Sequence, residues 1–171
     1  CVRKCAYCDF RSAPAGREVQ AQYVDRLLEE IQKAAPLAED YEVVSAFFGG
    51  GTPSILPKEE IGRVMELLHR QFDWKADAEV TIEANPGTVD GRKLDAYRSF
   101  GINRISFGLQ SADNEELQKL GRIHTWEQFL ESYEAARTAG FTNINVDPMS
   151  ALPGQTRKSW QETLQKVLVL N

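Results

Sequence analysis

Residues 1–8 read CVRKCAYC and contain the three cysteines of the 171-residue chain, Cys1, Cys5 and Cys8. Thiolates are soft ligands that suit iron–sulfur clusters, zinc and copper. Three protein ligands cannot fill four sites, so a [4Fe–4S] cube held by this stretch would keep one iron free to bind another molecule. The spacing C-x-x-x-C-x-x-C therefore predicts a metal centre, and an iron–sulfur cluster is the interpretation that we favour.

Other interpretations of the three thiols are less consistent with the sequence. A disulfide with one spare thiol is typical of a secreted scaffold, whereas this slightly acidic chain has no further cysteine. A structural zinc site needs a fourth ligand, and the two histidines, His69 and His124, lie far along the chain. A zinc-bound structural domain stays the alternative, and analysis of bound metal and sulfide would separate it from a cluster protein.

The composition argues against several classes of protein. A net charge of −5, with 42% hydrophobic and 26% charged residues, is ordinary for a globular protein. The sequence has no long basic run, so nucleic acid is not an expected partner. No apolar run approaches the roughly 20 residues of a membrane span, and no secretory signal peptide is recognisable. We therefore expect a cytoplasmic protein, since that compartment also suits an oxygen-sensitive cluster.

The remainder of the sequence predicts four strand–helix repeats. Apolar runs rich in β-forming residues predict strands at residues 43–48, 78–84, 104–110 and 142–147. Helical spacing and capping residues predict six helices. The first covers residues 19–35, and the second begins at Pro57. The next three run from Thr88 to Phe100, from Asp113 to about Gly121 and from Thr125 to Gly140, and the last has an apolar face formed by Trp160, Leu164, Val167 and Leu168. The connections are long enough only for parallel pairing, which a doubly wound sheet and a barrel share.

Side-chain alternation favours the barrel. In the last three predicted strands, apolar residues alternate with small or polar ones, so one face of the sheet is apolar and the other is polar. A sheet covered by helices on both faces would be apolar on both. The last inward polar residues of these strands are Glu83, Gln110 and Asp147, at the carboxyl end where barrel enzymes place their sites.

The cysteine stretch and the strand ends together resemble the radical S-adenosylmethionine (SAM) superfamily. Within it, the chain is most similar to the coproporphyrinogen-dehydrogenase-like branch and to its HemW-type heme chaperones, from Cys1 to about Thr156. The resemblance implies a partial (β/α)6 barrel, of which about four strand–helix units are present. It also implies that residues 1–171 are a fragment of a radical SAM core domain, with the first strand before Cys1 and the C-terminal part after Asn171.

The resemblance implies that the three cysteines hold a [4Fe–4S] cluster whose open iron binds SAM. The stretch FFGGGTP at residues 47–53 is similar to the family's glycine motif. Through this motif, Gly50, Gly51 and Thr52 would contact the methionyl end of SAM. Glycine lacks a Cβ atom, so its backbone can approach a ligand closely and donate N–H groups to it.

Four further positions match cofactor contacts of the family. Glu83 would lie near the amino group and sulfonium of SAM, where a carboxylate offsets positive charge. Arg122 would hold the SAM carboxylate, a task that suits its fork of N–H donors. Gln110 would contact the cofactor and Asp147 would bind the ribose hydroxyls. We assign no catalytic residue, and we interpret His124 as structural and not as a heme ligand.

The sequence departs from the family pattern after the fourth predicted strand. The family usually has an apolar residue, an aromatic residue and a glycine there, whereas residues 148–151 read PMSA. Pro148 has no N–H group, so we expect no ladder hydrogen bond from it at the strand end. Together with Ser150 and Ala151, it changes the adenosine side of the pocket relative to the family.

Two functions are consistent with the resemblance. The favoured one is a heme chaperone that binds heme or a porphyrin and delivers heme to an acceptor protein. Phe10 stands where the dehydrogenases carry a further cysteine, Ser111 stands where they favour Asp, and residues 120–124 match the chaperone pattern. The alternative is an oxygen-independent coproporphyrinogen III oxidase (dehydrogenase) or a related heme-modifying radical SAM enzyme. SAM cleavage is compatible with both functions, so the sequence leaves enzymatic activity open.

Overall fold

The sheet contains four parallel strands, and strands that follow one another in the sequence are neighbours in the sheet. The computed structural model describes residues 1–170, so Asn171, the last residue of the predicted domain, lies outside the described residues. The strands are β1 (Glu42–Phe48), β2 (Asp73–Ala84), β3 (Arg104–Gln110) and β4 (Asn143–Pro148). The helices are α1 (Arg17–Ala34), α2 (Lys58–Gln71), α3 (Gly91–Ser99), α4 (Asn114–Lys119), α5 (Trp126–Thr138) and α6 (Arg157–Leu168), with short 3-10 helices at Ala35–Ala38 and Pro53–Ile55. The predicted α/β architecture of four strand–helix units is confirmed.

The apolar side of the sheet forms the core together with the helices. Val80 and Ile82 of β2 and Ile105, Phe107 and Leu109 of β3 are at most 3% exposed. Burying an aliphatic or aromatic side chain of this size contributes roughly 1.5–3 kcal/mol to stability. The residues between them face the other side of the sheet, which confirms the predicted alternation. Among the helices of residues 1–170, none has the length and hydropathy needed to span a membrane.

β2 begins at Asp73, whereas the sequence predicts its start at residue 78. The early part pairs with β1 through Val43 and Trp74, and the register then shifts so that Ser45 pairs with Glu79. Residues 75–77 are exposed and largely polar. Because no buried face marks this part as a strand, the periodicity of the sequence does not reveal it.

Two of the predicted helix caps are confirmed. Asp113 caps α4, since its side chain accepts hydrogen bonds from two backbone N–H groups of the first turn. Thr125 and Gln128 form the predicted capping box of α5. Of the expected Asp113–Glu116 capping box, only the contacts of the Asp113 side chain are present. The Glu116 carboxylate instead accepts a hydrogen bond from Ser111 Oγ at 2.6 Å. Its other contacts are described below.

The predicted cap of α3 is wrong. Asp90, and not Thr88, precedes the helix and accepts a hydrogen bond from the N–H group of Lys93 at 2.8 Å. The Thr88 hydroxyl donates to the carbonyl oxygen of Asn85 at 2.6 Å and lies 2.6 Å from Ser54 Oγ. Thr88 therefore fixes the turn after β2, and the helix begins at Gly91.

The predicted apolar face of α6 is partly wrong. Leu168 is 69% exposed, whereas Thr163 is only 1% exposed. Thr163 is buried because its hydroxyl accepts a hydrogen bond from the N–H group of Ala112 at 3.2 Å. The helix begins with a capping box formed by Thr156 and Ser159, which the sequence analysis does not predict.

Candidate functional site

A cavity of about 260 Å³ lies at the carboxyl ends of the strands, against the cysteine loop (residues 1–16). The loop forms one wall, and residues at or just after the ends of the four strands, together with Arg122 after α4, form the others. The predicted site residues that line it are Cys1, Cys5, Cys8, Gly51, Thr52, Glu83, Gln110, Arg122 and Asp147. The structure thus brings together all predicted site residues except Gly50.

A larger groove of about 670 Å³ lies beside this cavity, between α1 and the β1 side of the sheet. Aliphatic side chains such as Leu27, Ile31 and Ile61 line much of it, and Cys1 and Thr52 border both spaces. Of these two spaces, only the smaller cavity is lined by Glu83, Arg122 and the other two cysteines. We place the functional site there because it collects the thiols and the charged groups.

The cysteine loop is fixed to the rest of the fold near its thiols. The N–H group of Ala6 donates to the carbonyl oxygen of Leu120 at 3.1 Å. Cys1 Sγ lies 3.4 Å from Thr52 Oγ1, and Arg122 Nη1 donates to Cys5 Sγ at 3.7 Å. All three cysteines are free and half-buried, as metal ligands at the edge of a cavity would be.

Within residues 1–170, no three His, Cys, Asp or Glu side chains converge on a point where a single metal ion would sit. The cysteine ligands of a [4Fe–4S] cube each bind a different iron. Cys1, Cys5 and Cys8 all line one cavity, as such ligands would.

The glycine turn after β1 has a backbone that other residues rarely adopt. Gly50 and Gly51 have φ angles of 75° and 72°. A Cβ atom on Gly51 would lie 3.7 Å from Cys1 Sγ, so a side chain there would occupy the space beside the first thiol. The N–H group of Gly50 donates to Glu83 Oε2 at 3.3 Å, which joins the turn to β2. Because Gly51 has no side chain, the space beside Cys1 stays open to a ligand.

Glu83 is half-buried at the end of β2. Burial raises the pKa of its carboxyl group above the ordinary value, and the nearby Asp147 carboxylate adds to this effect. The Gly50 N–H group opposes the shift, because it stabilises the ionised form. A cationic group bound in the cavity would favour the ionised form of Glu83 further.

Arg122 spans the cavity wall between the sheet and the cysteine loop. Its Nη2 atom donates to Asn85 Oδ1 at 2.7 Å and to the carbonyl oxygen of Gly108. Its Nε atom is buried and has no hydrogen-bond partner within residues 1–170. A buried donor without a partner is unfavourable. An anionic ligand would satisfy it, and the site fits such a ligand.

Asn85 is a site residue that the sequence analysis missed. Its side chain accepts from Arg122 and donates through Nδ2 to Thr52 Oγ1 at 3.0 Å, so it links two predicted residues. The available indication was its place just beyond the end of β2, two positions after Glu83. Strand ends of this kind meet at one edge of a parallel sheet.

The floor of the cavity is a polar network on β3 and β4. Ser106 Oγ donates to Asp147 Oδ2 at 3.1 Å, and Asn145 Nδ2 donates to Asp147 Oδ1 at 2.6 Å. Asn145 Nδ2 also lies 2.9 Å from Ser106 Oγ as a donor. The network fixes the Asp147 carboxylate while leaving the residue exposed to a ligand. Ser106 and Asn145 were predicted to face inward but were not predicted as site residues.

Gln110 ends β3 in an unusual conformation, with a φ angle of 72°. The register between β3 and β4 shifts between Phe107 and Gln110, and Gln110 pairs with Pro148. Pro148 makes no ladder bond as a donor, as expected. The N–H group of Met149 donates to the carbonyl oxygen of Gln110 at 2.7 Å instead.

His124 is buried beside the site, and its structural role stays a prediction. It is 5% exposed, and its Nε2 atom lies 3.2 Å from the carbonyl oxygen of Leu109. Burial lowers the pKa of His124 to about 4, and the positive charge of Arg122 contributes to the shift. The neutral ring donates to the backbone of β3.

Comparison with known proteins agrees with this geometry. The family model of the radical SAM superfamily matches residues 1–167. A heme chaperone HemW from Haemophilus influenzae is 36% identical over 176 residues, which cover 100% of this chain and 46% of the relative. An oxygen-independent coproporphyrinogen III oxidase from Salmonella typhimurium is 38% identical over 173 residues, which cover 100% of this chain and 38% of the relative. The chain thus spans less than half of the length of these relatives.

The fold has a similar counterpart of known structure. Coproporphyrinogen III oxidase (HemN) from Escherichia coli, described as a radical SAM enzyme, superposes with a TM-score of 0.92 and 36% identity. The match covers 100% of this chain and 40% of that protein, which confirms the predicted partial barrel. Because the family model extends over almost the entire described chain and the fold agrees with it, the chain belongs to the radical SAM superfamily, as its cysteine spacing led us to expect.

Proposed function

We propose that this chain forms the cofactor-binding part of a radical SAM core domain. Cys1, Cys5 and Cys8 would hold a [4Fe–4S] cluster, and the cavity beside them would hold SAM. The observation that supports this most strongly is that one cavity joins the three thiols to polar residues from the ends of all four strands. Membership of the superfamily implies the same two cofactors. When bound, the cluster supplies the electron needed to cleave the SAM sulfonium.

Each polar residue of the cavity has a separate part in this proposal. The Arg122 guanidinium would bind the SAM carboxylate, since its buried Nε atom lacks a partner. Glu83 would face the amino group and sulfonium, whose positive charge favours its ionised form. Gly51 and Thr52 would border the methionyl end, and Gly50 would position Glu83 through its N–H group. Gln110 and Asp147 would contact the adenosyl end, with Asp147 held ready by Ser106 and Asn145.

We further propose that the full-length protein is a HemW-like heme chaperone that binds heme and passes it to an acceptor protein. The similarity to a heme chaperone from Haemophilus influenzae supports this. Phe10 lies on the cavity wall with 59% of its surface exposed, and Tyr7 beside it is 37% exposed. Exposed aromatic rings at a cavity mouth suit the flat apolar face of a macrocycle. The free thiols and the cluster suit a reducing compartment, so we propose the cytoplasm.

A second candidate is an oxygen-independent coproporphyrinogen III oxidase. The TM-score of 0.92 to such an oxidase and the 38% identity to another favour it. This function would require a porphyrinogen propionate to reach the adenosyl group. Phe10, which lines the cavity, does not favour this function, because its side chain has no atom that could ligate a second polar cofactor.

The deciding experiment uses the full-length protein, reconstituted anaerobically with iron and sulfide. We expect it to bind SAM and heme but to leave coproporphyrinogen III unchanged under reducing conditions with SAM. Product analysis by chromatography, after incubation with many equivalents of substrate, measures this directly. Slow cleavage of SAM to 5′-deoxyadenosine is compatible with the chaperone. Multiple turnovers to protoporphyrinogen would establish the oxidase instead, and absence of bound heme would exclude the chaperone.

A further inference from the structure

Glu116 is a buried carboxyl group that the cofactor site does not use directly. It lies on α4 with 5% of its surface exposed. Its oxygens accept hydrogen bonds from Ser111 Oγ at 2.6 Å, Ser159 Oγ at 2.7 Å and Gln155 Nε2 at 3.0 Å. All three donors are neutral. A carboxyl group loses its hydration on burial, so this arrangement is stable only while the donors stay in place.

Gln110, which ends β3 shortly before α4 in the sequence, has a backbone conformation that its surroundings must stabilise. Its φ angle of 72° is in the left-handed region, which is uncommon for a residue other than glycine. Such a conformation is unfavourable and persists only where the surrounding structure determines it. Gln110 also lies where the register between β3 and β4 shifts, so the regular ladder does not fix it.

Glu116 is connected to Gln110 by two routes. The first runs through Ser111, which follows Gln110 in the chain and also accepts the N–H group of Asp113 at 3.0 Å. The second runs through Gln155 Nε2, which contacts the carbonyl oxygen of Met149 at 3.4 Å. The N–H group of Met149 in turn donates to the carbonyl oxygen of Gln110 at 2.7 Å. The Glu116 carboxyl group therefore bonds Ser111 directly and is linked through Gln155 to Met149, which bonds the Gln110 carbonyl oxygen.

We propose that Glu116 is a positioning residue, which fixes the backbone of Gln110 so that its side chain lines the cofactor cavity. This inference rests on the proposed binding of SAM, because Gln110 is one of the residues assigned to that ligand. Glu116 does not line the cavity and acts only through Ser111 and Gln155. The cysteine loop takes no part in either route, so the iron content is independent of Glu116.

Two substitutions at Glu116 separate positioning from simple packing. Glu116→Ala removes the acceptor of all three hydrogen bonds. Glu116→Gln keeps an acceptor oxygen for Ser111 and Gln155, and its amide can donate to Ser159, whose hydroxyl also accepts. Glu115→Gln is the matched control, because Glu115 is the adjacent carboxylate on α4 and is exposed. Gln155→Ala removes only the route through Met149 and serves if Glu116→Ala fails to fold.

The experiment measures SAM affinity and amide hydrogen exchange in the full-length protein with its cluster. We expect Glu116→Ala to weaken SAM binding roughly tenfold, which corresponds to about 1.4 kcal/mol. Amides of residues 110–112 and 149–151 should exchange faster in this variant, with unchanged iron content. Glu116→Gln and Glu115→Gln should bind SAM within about twofold of the wild type, and Gln155→Ala should show part of the effect of Glu116→Ala.

Several outcomes distinguish this inference from the proposed function. If Glu116→Ala lowers thermal stability but keeps wild-type exchange in these two segments, the residue is only a packing element and the inference is wrong. Faster exchange with unchanged SAM affinity overturns it as well. If the wild type binds no SAM at all, the proposed function fails. Faster exchange of the same segments in Glu116→Ala would then still support the positioning of Gln110.

Discussion

The two walls of the cavity are built in different ways. The strand-end floor, where Ser106, Gln110 and Asp147 of β3 and β4 line the cavity, continues directly from strands whose opposite face is the hydrophobic core. The cysteine loop contains no helix or strand over residues 1–16. It is joined to the fold by single contacts such as the hydrogen bond from Ala6 to Leu120. The floor is therefore determined by folding, whereas the loop has few interactions of its own to determine its shape.

This difference indicates how the two proposed ligands depend on the protein. Glu83, Gln110 and Asp147, three of the residues assigned to SAM, belong to strands of the sheet and are therefore held in place before a ligand arrives. The proposed cluster would give the cysteines their final geometry, since metal binding couples to local ordering where a preformed site is weak. Substitutions in the loop should thus affect the proposed cluster without affecting the fold. Substitutions in the core beneath the floor should lower the stability of the fold without removing the cluster ligands.

The largest effect is expected for Cys5→Ala. The wild type and the control Tyr7→Phe should bind about four irons and four sulfides per chain after anaerobic reconstitution. Cys5→Ala should lose the iron and the brown chromophore, because two thiolates are too few ligands for the cube. Far-ultraviolet circular dichroism should stay unchanged, since the loop contains no regular structure. Full iron and sulfide in Cys5→Ala would show that the proposed ligation is wrong.

The next effect concerns stability and compares two phenylalanines. Phe107 is fully buried beneath the floor, whereas Phe10 is 59% exposed on the loop. Phe107→Ala should lower the free energy of unfolding by about 3–5 kcal/mol, because it leaves a cavity in the core. Phe10→Ala should change it by less than about 0.5 kcal/mol. Urea denaturation of the cluster-free protein measures both, and equal losses would remove the distinction between the two walls.

A smaller effect is expected for Arg122→Ala, which lies where the two walls meet. SAM affinity should fall roughly 10- to 100-fold, since a hydrogen bond to a charged group contributes about 1.5–3 kcal/mol. Iron and sulfide content should be retained, because Arg122 is not a proposed ligand of the cluster. Arg92→Ala, an exposed arginine at the start of α3, is the control. Isothermal titration with SAM decides the result, and unchanged affinity would remove Arg122 from the site.

The smallest effect is the pH dependence contributed by His124. Its pKa is about 4 in the folded protein, mainly through burial, and returns to about 6.5 on unfolding. The unfolded state therefore binds an extra proton between these two values, and stability falls as the pH is lowered through this range. We expect the wild type to lose about 1–2 kcal/mol more than His124→Gln between pH 7 and pH 5. Urea denaturation at several pH values measures this, and parallel curves would contradict it.

The sequence predicts the strands beneath the floor well and their polar contacts poorly. β3 is observed at the predicted residues, Arg104–Gln110, because buried apolar residues alternate there without interruption. The cysteine spacing likewise resembles that of the family, and three thiolates are consistent with a cluster that keeps one iron open. Asn85 was missed because its role depends on Arg122 and Thr52, which reach it only after the strands have paired.

The support of Gln110 was equally invisible in the sequence. Glu116 matches a capping box when it is considered with its near neighbours. The structure connects it instead to Gln155 and Ser159, which are 39 and 43 residues away. Local propensity does not contain contacts at such separations, so helix and strand prediction cannot supply them. The left-handed backbone of Gln110 was also unexpected, because glycine is the residue that usually marks it.

The order of the strands has a consequence for biosynthesis. Each strand pairs with the one made immediately before it, so the sheet can grow from β1 to β4 as the polypeptide leaves the ribosome. The cysteine loop is made before β1, whereas Asp147, on the far side of the cavity, lies near the end of β4. At about 5–20 residues per second, the thiols wait roughly 7–30 s for the far side of their cavity. We therefore expect insertion of the proposed cluster to follow translation of β4, and the nascent loop to need protection from oxidants until then.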